Sequence, residues 1–210
     1  MTAPSPPLVL GLAGGVASGK SAVARLLAES SEPRGLILAA DAIAQAALDS
    51  PEVVAEVRER FGEGCLDADG RPDREAIGRI VFADPEARKA LEGWIHPLVR
   101  ARILAELEDA GRREVPVVVL DVPLLFENDA QHGLVARCDA ILFVESPPEA
   151  REARATANRG WSPGEVARRE AAQLPLEEKR SRCTHVVDNR GSLEELERDV
   201  ARVMAELGRP

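Results

Sequence analysis

Five short apolar runs punctuate the chain, at residues 8–12, 36–39, 117–120, 140–144 and 185–187. They are continuously apolar rather than alternating, as expected of strands whose two faces are both covered by helices. Between them, apolar positions recur at helical spacing. Strand–helix alternation of this kind predicts an α/β fold built on a parallel sheet. Two intervals are too long for simple crossovers. Residues 42–115 hold "PEVVAEVRERF", "DREAIGRIVF" and a long helical pattern over about 85–110. Residues 147–183 are helical in pattern and rich in Arg. The core is then expected at about 8–41, 116–146 and 184–208. The last segment, "SLEELERDVARVMAEL", opens with Ser192 and has Glu195 three residues on. That spacing predicts a capping box and an amphipathic helix.

Composition narrows the classes. The 210 residues suffice for one well-buried α/β domain with insertions. Aromatics are 3% with no Tyr, so Leu, Val, Ile and Ala must build the core and a base-stacking platform is not expected. A net charge of -9 also argues against a nucleic-acid partner. Cys65, Cys138 and Cys183 lie far apart without metal-ligand spacing, which predicts reduced thiols. The opening "MTAPSPP" has no basic region and leads straight into a strand, so no signal peptide is expected. No apolar run approaches the roughly 20 residues of a membrane span. A cytoplasmic protein with no membrane partner is the expectation; the sequence sets no oligomeric state.

The chemistry begins at "GGVASGKS", residues 14–21, which fits G-x-x-x-x-G-K-[ST]. Gly14 and Gly19 permit backbone geometry that turns successive N–H groups inward. Lys20 suits the β- and γ-phosphates, and the Ser21 hydroxyl suits Mg²⁺. The helix opening near Gly19 adds its positive dipole end. The motif stands directly after a strand and opens a helix, which is the context a phosphate loop requires.

A held phosphate can be sensed or transferred. The guanine-reading Asn-Lys-x-Asp of a GTP switch is absent from the sequence. A small kinase needs a base, cations for the moving phosphoryl group and a cover against water. Asp41, closing the second strand, faces the carboxyl edge of the sheet where ligands collect. It reads as the base, and also as a cap for the helix after it. Asp121, closing the third strand, has two readings: a Mg²⁺-ordering acid or a strand-end cap. Residues 151–182 carry eight Lys/Arg against five Glu within an acidic chain. Local positive charge of that kind serves an anionic nucleotide, so 147–183 is read as a lid and 42–115 as a substrate-side insertion. Arg159, before Gly160, is the favoured phosphoryl contact.

Taken together, "GLAGGVASGKS", "ADAIAQ", "HPLV" at 96–99, "DVPLLFE" at 121–127, "QLPLEEK" at 173–179 and "VVDNRGSLEEL" at 186–196 resemble the dephospho-coenzyme A kinases over nearly the whole chain. The resemblance implies ATP-dependent phosphorylation of the ribose 3′-hydroxyl of dephospho-CoA, with Mg²⁺. It implies a five-stranded parallel sheet of the nucleoside monophosphate kinase type, order 2-3-1-4-5. It implies ATP on Gly14, Gly15, Ala17, Ser18, Gly19, Lys20, Ser21 and Ala22, with Asn189 near the adenine. It places Asp41, His96, Leu124 and Glu127 on the acceptor side. His96 has a second reading, satisfying a carbonyl freed by Pro97, and Glu127 a second reading as a helix cap. Trp94 and Trp161 read as packing anchors, and His132 and His185 as structural.

The chain departs from the family pattern at four places. Ala17 stands where Gly is usual, so a changed backbone angle is expected there. Ala22 replaces Thr, "AAD" replaces "DAD" before the second helix, and Ala155 replaces a lid Arg, for which Arg154 or Arg151 would have to substitute. Two other functions fit the same loop: another small-metabolite or nucleoside kinase, and a non-catalytic nucleotide-binding regulator.

Overall fold

The computed structural model describes residues 6–208, so most of the opening "MTAPSPP" lies outside the described residues. The chain runs β1 (Leu8–Gly14), α1 (Lys20–Glu29), β2 (Leu36–Ala39), α2 (Ala40–Leu48), α3 (Pro51–Phe61), α4 (Arg74–Ala83), α5 (Pro85–Arg112) and β3 (Val117–Asp121). It continues through α6 (Asp129–His132), β4 (Ala140–Glu145), α7 (Pro148–Arg159), α8 (Glu165–Glu170), α9 (Leu176–Ser181), β5 (His185–Asp188) and α10 (Leu193–Glu206). All five expected strands are present, most of them a residue or two longer than the apolar runs. The extra residues are those at the carboxyl ends, where Gly14, Asp121, Glu145 and Asp188 still pair in the ladders.

The chain forms two compact units. The first comprises the chain up to Ala39 and from Leu107 onward, the second Ala40–Glu106. The first holds the sheet, parallel throughout, in the order β2-β3-β1-β4-β5. β1 lies at its centre, between β3 and β4. Its continuous apolar run is explained by burial on both faces. Leu10 and Leu12 pack with Val119, Leu142 and Val187 against Val23 and Leu27 of α1 and Val200, Val203 and Met204 of α10. Gly11 lies on the other face, closely approached by Leu125 and Cys138. Such a sheet carries its loops at the strand ends, and the loop after the central strand is the one best supported by neighbours.

The expected capping box is present. Ser192 Oγ accepts from the Glu195 N–H at 3.3 Å, and the Ser192 N–H donates to Glu195 at 2.7 Å. It fixes the start of α10, whose apolar stripe closes the core. The three cysteines form no disulfide. Burial pushes the Cys138 and Cys183 thiols up to about 12, so both stay protonated and inert. No helix of the described residues is long and apolar enough to cross a membrane.

The second unit is helical. Its core gathers Val53, Val57, Cys65 and Ile77, with the Phe61 and Trp94 rings 5.5 Å apart. Ser50 caps α3 and Asp73 caps α4 by accepting first-turn N–H groups. α2 begins at Ala40, directly after β2, so Asp41 stands in a first helical turn rather than at the strand end. A carboxylate is favoured there by the helix dipole. His96 is exposed on α5, ahead of Pro97, which lies inside that helix.

The backbone of the loop after β1 differs from ordinary geometry where the sequence said to look. Ala17 has φ of 57°, in the left-handed region. A Cβ in that region costs on the order of 1 kcal/mol, whereas glycine gives back about 0.4–1 kcal/mol through its freer unfolded chain. Ala17→Gly is therefore expected to leave stability unchanged or raise it by up to about 1 kcal/mol, read from urea midpoints. A loss of more than about 1 kcal/mol would contradict a left-handed Ala17.

Candidate active site

The loop from Gly14 to Ser21 closes on its own lysine. Lys20 Nζ donates to the carbonyls of Gly15 at 2.9 Å and Gly14 at 3.3 Å. The chain thus wraps the ammonium, and the Gly15 carbonyl also accepts from the Ser18 N–H at 3.2 Å. Burial strips water from Lys20 and lowers its pKa to about 8, with Lys179 and Arg159 pushing the same way. Asp121 and Glu170 act in the opposite sense. Below about pH 8 the group is still an ammonium, and a polyanion beside it would favour that form further.

Ser21 and Asp121 are brought together. Ser21 Oγ donates to Asp121 Oδ2 at 2.9 Å, joining the first turn of α1 to the end of β3. Both are hard oxygen donors, the type Mg²⁺ prefers, and an ion that keeps several of its waters needs few protein ligands. The pair therefore fits the expected metal. Among the described residues no cluster of three or more His, Cys, Asp or Glu forms a metal cage.

Beside the loop lies a cavity of about 430 Å³. Ala17, Ser18, Gly19, Lys20, Ser21 and Ala22 line one side, and Arg154, Asn158, Arg159 and Asn189 another. This gathers most of the residues expected to hold ATP. Gly14 and Gly15 stand outside that lining. Asn189 is buried and its Nδ2 donates to the Ser18 carbonyl at 2.7 Å. A Cβ on Gly19 would run into that amide, and Gly19 also has φ of 97°, so glycine is required twice over. Ser18 takes part through its carbonyl, while its hydroxyl is buried with no hydrogen-bond partner.

The Arg-rich segment divides its cations between two tasks. Arg154 donates to Ser146 Oγ at 2.7 Å and to the Ser18 and Asn189 carbonyls at 3.3 Å each, so it braces the cavity wall. Arg159 lines the cavity with its guanidinium 4.8 Å from the Trp161 ring centroid, and Arg169 stacks on the same ring at 4.1 Å. Trp161 is thus a platform for two cations, and stacking holds Arg159 without using its hydrogen-bond donors. Arg151 is buried away from the cavity, paired with Glu170.

On the acceptor side, Leu124 follows β3 with φ of 57°. Glu127 forms a buried ion pair with Lys179 at 2.6 Å and accepts from the Leu174 N–H at 3.2 Å. Lys179 also donates to Gln173 at 2.7 Å. This knot ties "DVPLLFE" to "QLPLEEK". Two members, Lys179 and Gln173, were part of recognisable strings but carried no assigned role. Glu170 and Ser146 were missed, since neither belongs to a motif. Asp41 and His96 are both exposed, on α2 and α5 of the second unit.

Comparison with known proteins identifies the family. The sequence profile of the family described as dephospho-CoA kinase matches residues 8–195. The dephospho-CoA kinase of Thermus thermophilus is 44% identical over 201 residues, covering 96% of this chain and 92% of that protein. The crystal structure of TT1252 from Thermus thermophilus superposes with a TM-score of 0.75 at 43% identity, covering 97% of this chain and 99% of the other. The dephospho-CoA kinase of Campylobacter jejuni, at 22% identity and a TM-score of 0.67, covers 97% of this chain and 98% of its own and shares the fold. With its phosphate loop closed on Lys20 and its sheet in the order 2-3-1-4-5, this chain belongs to the dephospho-CoA kinase family.

Proposed function

We propose that the chain transfers the γ-phosphoryl group of ATP to the ribose 3′-hydroxyl of dephospho-CoA, giving coenzyme A and ADP. The observation that carries this reading is a complete phosphate loop, with Lys20 folded onto Gly14 and Gly15, in a chain that matches the family over residues 8–195. The N–H groups of Ala17, Gly19, Lys20 and Ser21, at the loop and the start of α1, receive the β- and γ-phosphates, while those of Ser18 and Ala22 are bonded to the Gly15 and Gly19 carbonyls. Ser21 and Asp121 would hold Mg²⁺, which supplies neutralising charge to the phosphates when bound. Lys20 and Arg159 counter the charge on the transferring group, and Arg154 keeps the wall beside Ser18 in place. Asn189 borders the end of the cavity assigned to adenine.

Asp41 is the base of the reading. The 3′-oxygen forms the new bond to phosphorus, the bond to the ADP oxygen breaks, and the hydroxyl proton passes to the Asp41 carboxylate. Asp41 follows the carboxyl end of β2 by two residues, and ligands of such folds collect beyond the carboxyl ends of strands. His96 and Leu124 are assigned to the acceptor, and Glu127 acts through Lys179. The segment 147–183 works as a lid that excludes water, since an exposed γ-phosphate would be hydrolysed. Most of the acceleration comes from positioning and preorganised charge.

Three comparisons test this. ADP formation with Mg²⁺-ATP is expected with dephospho-CoA and not with adenosine or shikimate; equal rates with all three, or none with dephospho-CoA, would reject the acceptor. Asp41→Asn is expected to lower kcat by roughly 100-fold or more with ATP affinity kept, the size typical of a general base. A near-normal kcat removes Asp41 from that role. Arg159→Ala is expected to reduce kcat more than it raises KM for ATP, because its contact strengthens as charge moves. An equal loss in both, or in neither, argues against it.

A further inference from the structure

Glu170 is a carboxylate placed on a loop built for anions. It lies at the end of α8, far along the chain from the loop, and accepts a hydrogen bond from the Val16 N–H at 2.7 Å. The same oxygen pairs with Arg151, which is 5% exposed. Arg151 in turn donates from Nε to the Ser146 carbonyl at 3.2 Å, just past the end of β4. The pair crosses directly over Gly15. A Cβ there would stand 2.6 Å from Arg151 and 2.7 Å from Glu170. Gly15 is therefore glycine for contact, not for an unusual φ.

Two features give this contact a task. Val16, Gly15 and Glu170 do not line the cavity beside Ala17–Ala22, so the Glu170 bond stands outside the place proposed for the anion. The bond also joins the front of the loop to the helical segment that carries Arg154 and Arg159. A buried guanidinium needs its partner, and removing one member of such a pair is strongly unfavourable. The loop is held from behind by Lys20 and from the front by Glu170. Ala17, whose backbone is in the left-handed region, lies between the two anchors.

We propose that Glu170, held by Arg151, is a positioning residue that clamps α8 onto the Val16 amide and so fixes both the front of the phosphate loop and the lid cations for transfer. It does not line the cavity beside Ala17–Ala22. The proposal rests on the kinase reading above for its effect on transfer, but the clamp itself does not depend on the acceptor.

Hydrogen exchange and steady-state kinetics on the full chain test it together. Glu170→Ala is expected to speed amide exchange at residues 15–18 and 160–172 roughly tenfold or more, as loss of a charge-assisted bond would. The same variant should lower kcat roughly tenfold or more, since small misplacements of reacting groups have effects of this size. Glu170→Gln keeps an acceptor for Val16 and should recover much of both. Arg151→Met/Glu170→Ala removes the buried unpaired charge, so thermal stability should return while exchange stays fast and kcat low. Recovery of kcat in that double variant would overturn the proposal, leaving the pair as packing only. Unchanged exchange at residues 15–18 in Glu170→Ala would overturn the clamp. Failure of the kinase reading shows separately, as a wild-type chain that makes no product from dephospho-CoA.

Discussion

Everything at the nucleotide end follows from one constraint: Lys20 must remain charged in a place with little water. The loop solves this by lending the Gly14 and Gly15 carbonyls to the ammonium. Those carbonyls can face inward only if the chain after β1 turns sharply, which sets the left-handed Ala17 and Gly19. Such turns can present N–H groups outward, and in the proposed function these receive the phosphates. Asp121, at the end of the neighbouring strand, holds up the lysine charge and takes the Ser21 hydroxyl. Burial still lowers the lysine pKa to about 8.

Around that loop the structure is a set of long-range ties. Asn189 reaches Ser18 from the end of β5, Arg154 braces the same carbonyl from α7, and Glu170 reaches Val16 from α8. Lys179 and Glu127 bind α9 to the segment after β3. The loop is therefore shaped by residues up to 171 positions away in sequence. Of the eight cations at residues 151–182, Arg154 and Arg159 line the cavity beside the loop, while Arg151, Arg168, Arg169, Lys179, Arg180 and Arg182 pair with carboxylates.

The central strands β1, β3 and β4 were legible because burial on both faces leaves them apolar except for Asp121 and Glu145 at their carboxyl ends, and Ser192 with Glu195 marked the last helix by a local rule. Ala17 was legible as strain, since a family pattern expecting glycine met a side chain. The strand order was not in the composition; it came with the resemblance. Glu170 was illegible for a physical reason. It is one of five Glu among eight cations at residues 151–182, and charge counting cannot say which pairs are buried. Glu165 sits five residues earlier and makes only exposed pairs with Arg168 and Arg169. The start of α2 was misjudged by two residues, Ala40 rather than Ala42 after a capping Asp41, because the strand passes into the helix without a loop.

The central claim is that the loop, closed on Lys20, delivers a phosphoryl group to one hydroxyl of one acceptor. A single turnover with enzyme in excess over ATP, quenched and read by phosphorus NMR and mass spectrometry, tests it most directly. The account predicts one coenzyme A per ADP, with the new phosphate a monoester on the ribose 3′-oxygen. ADP accompanied by free inorganic phosphate, or a phosphate on any other oxygen of dephospho-CoA, would contradict it.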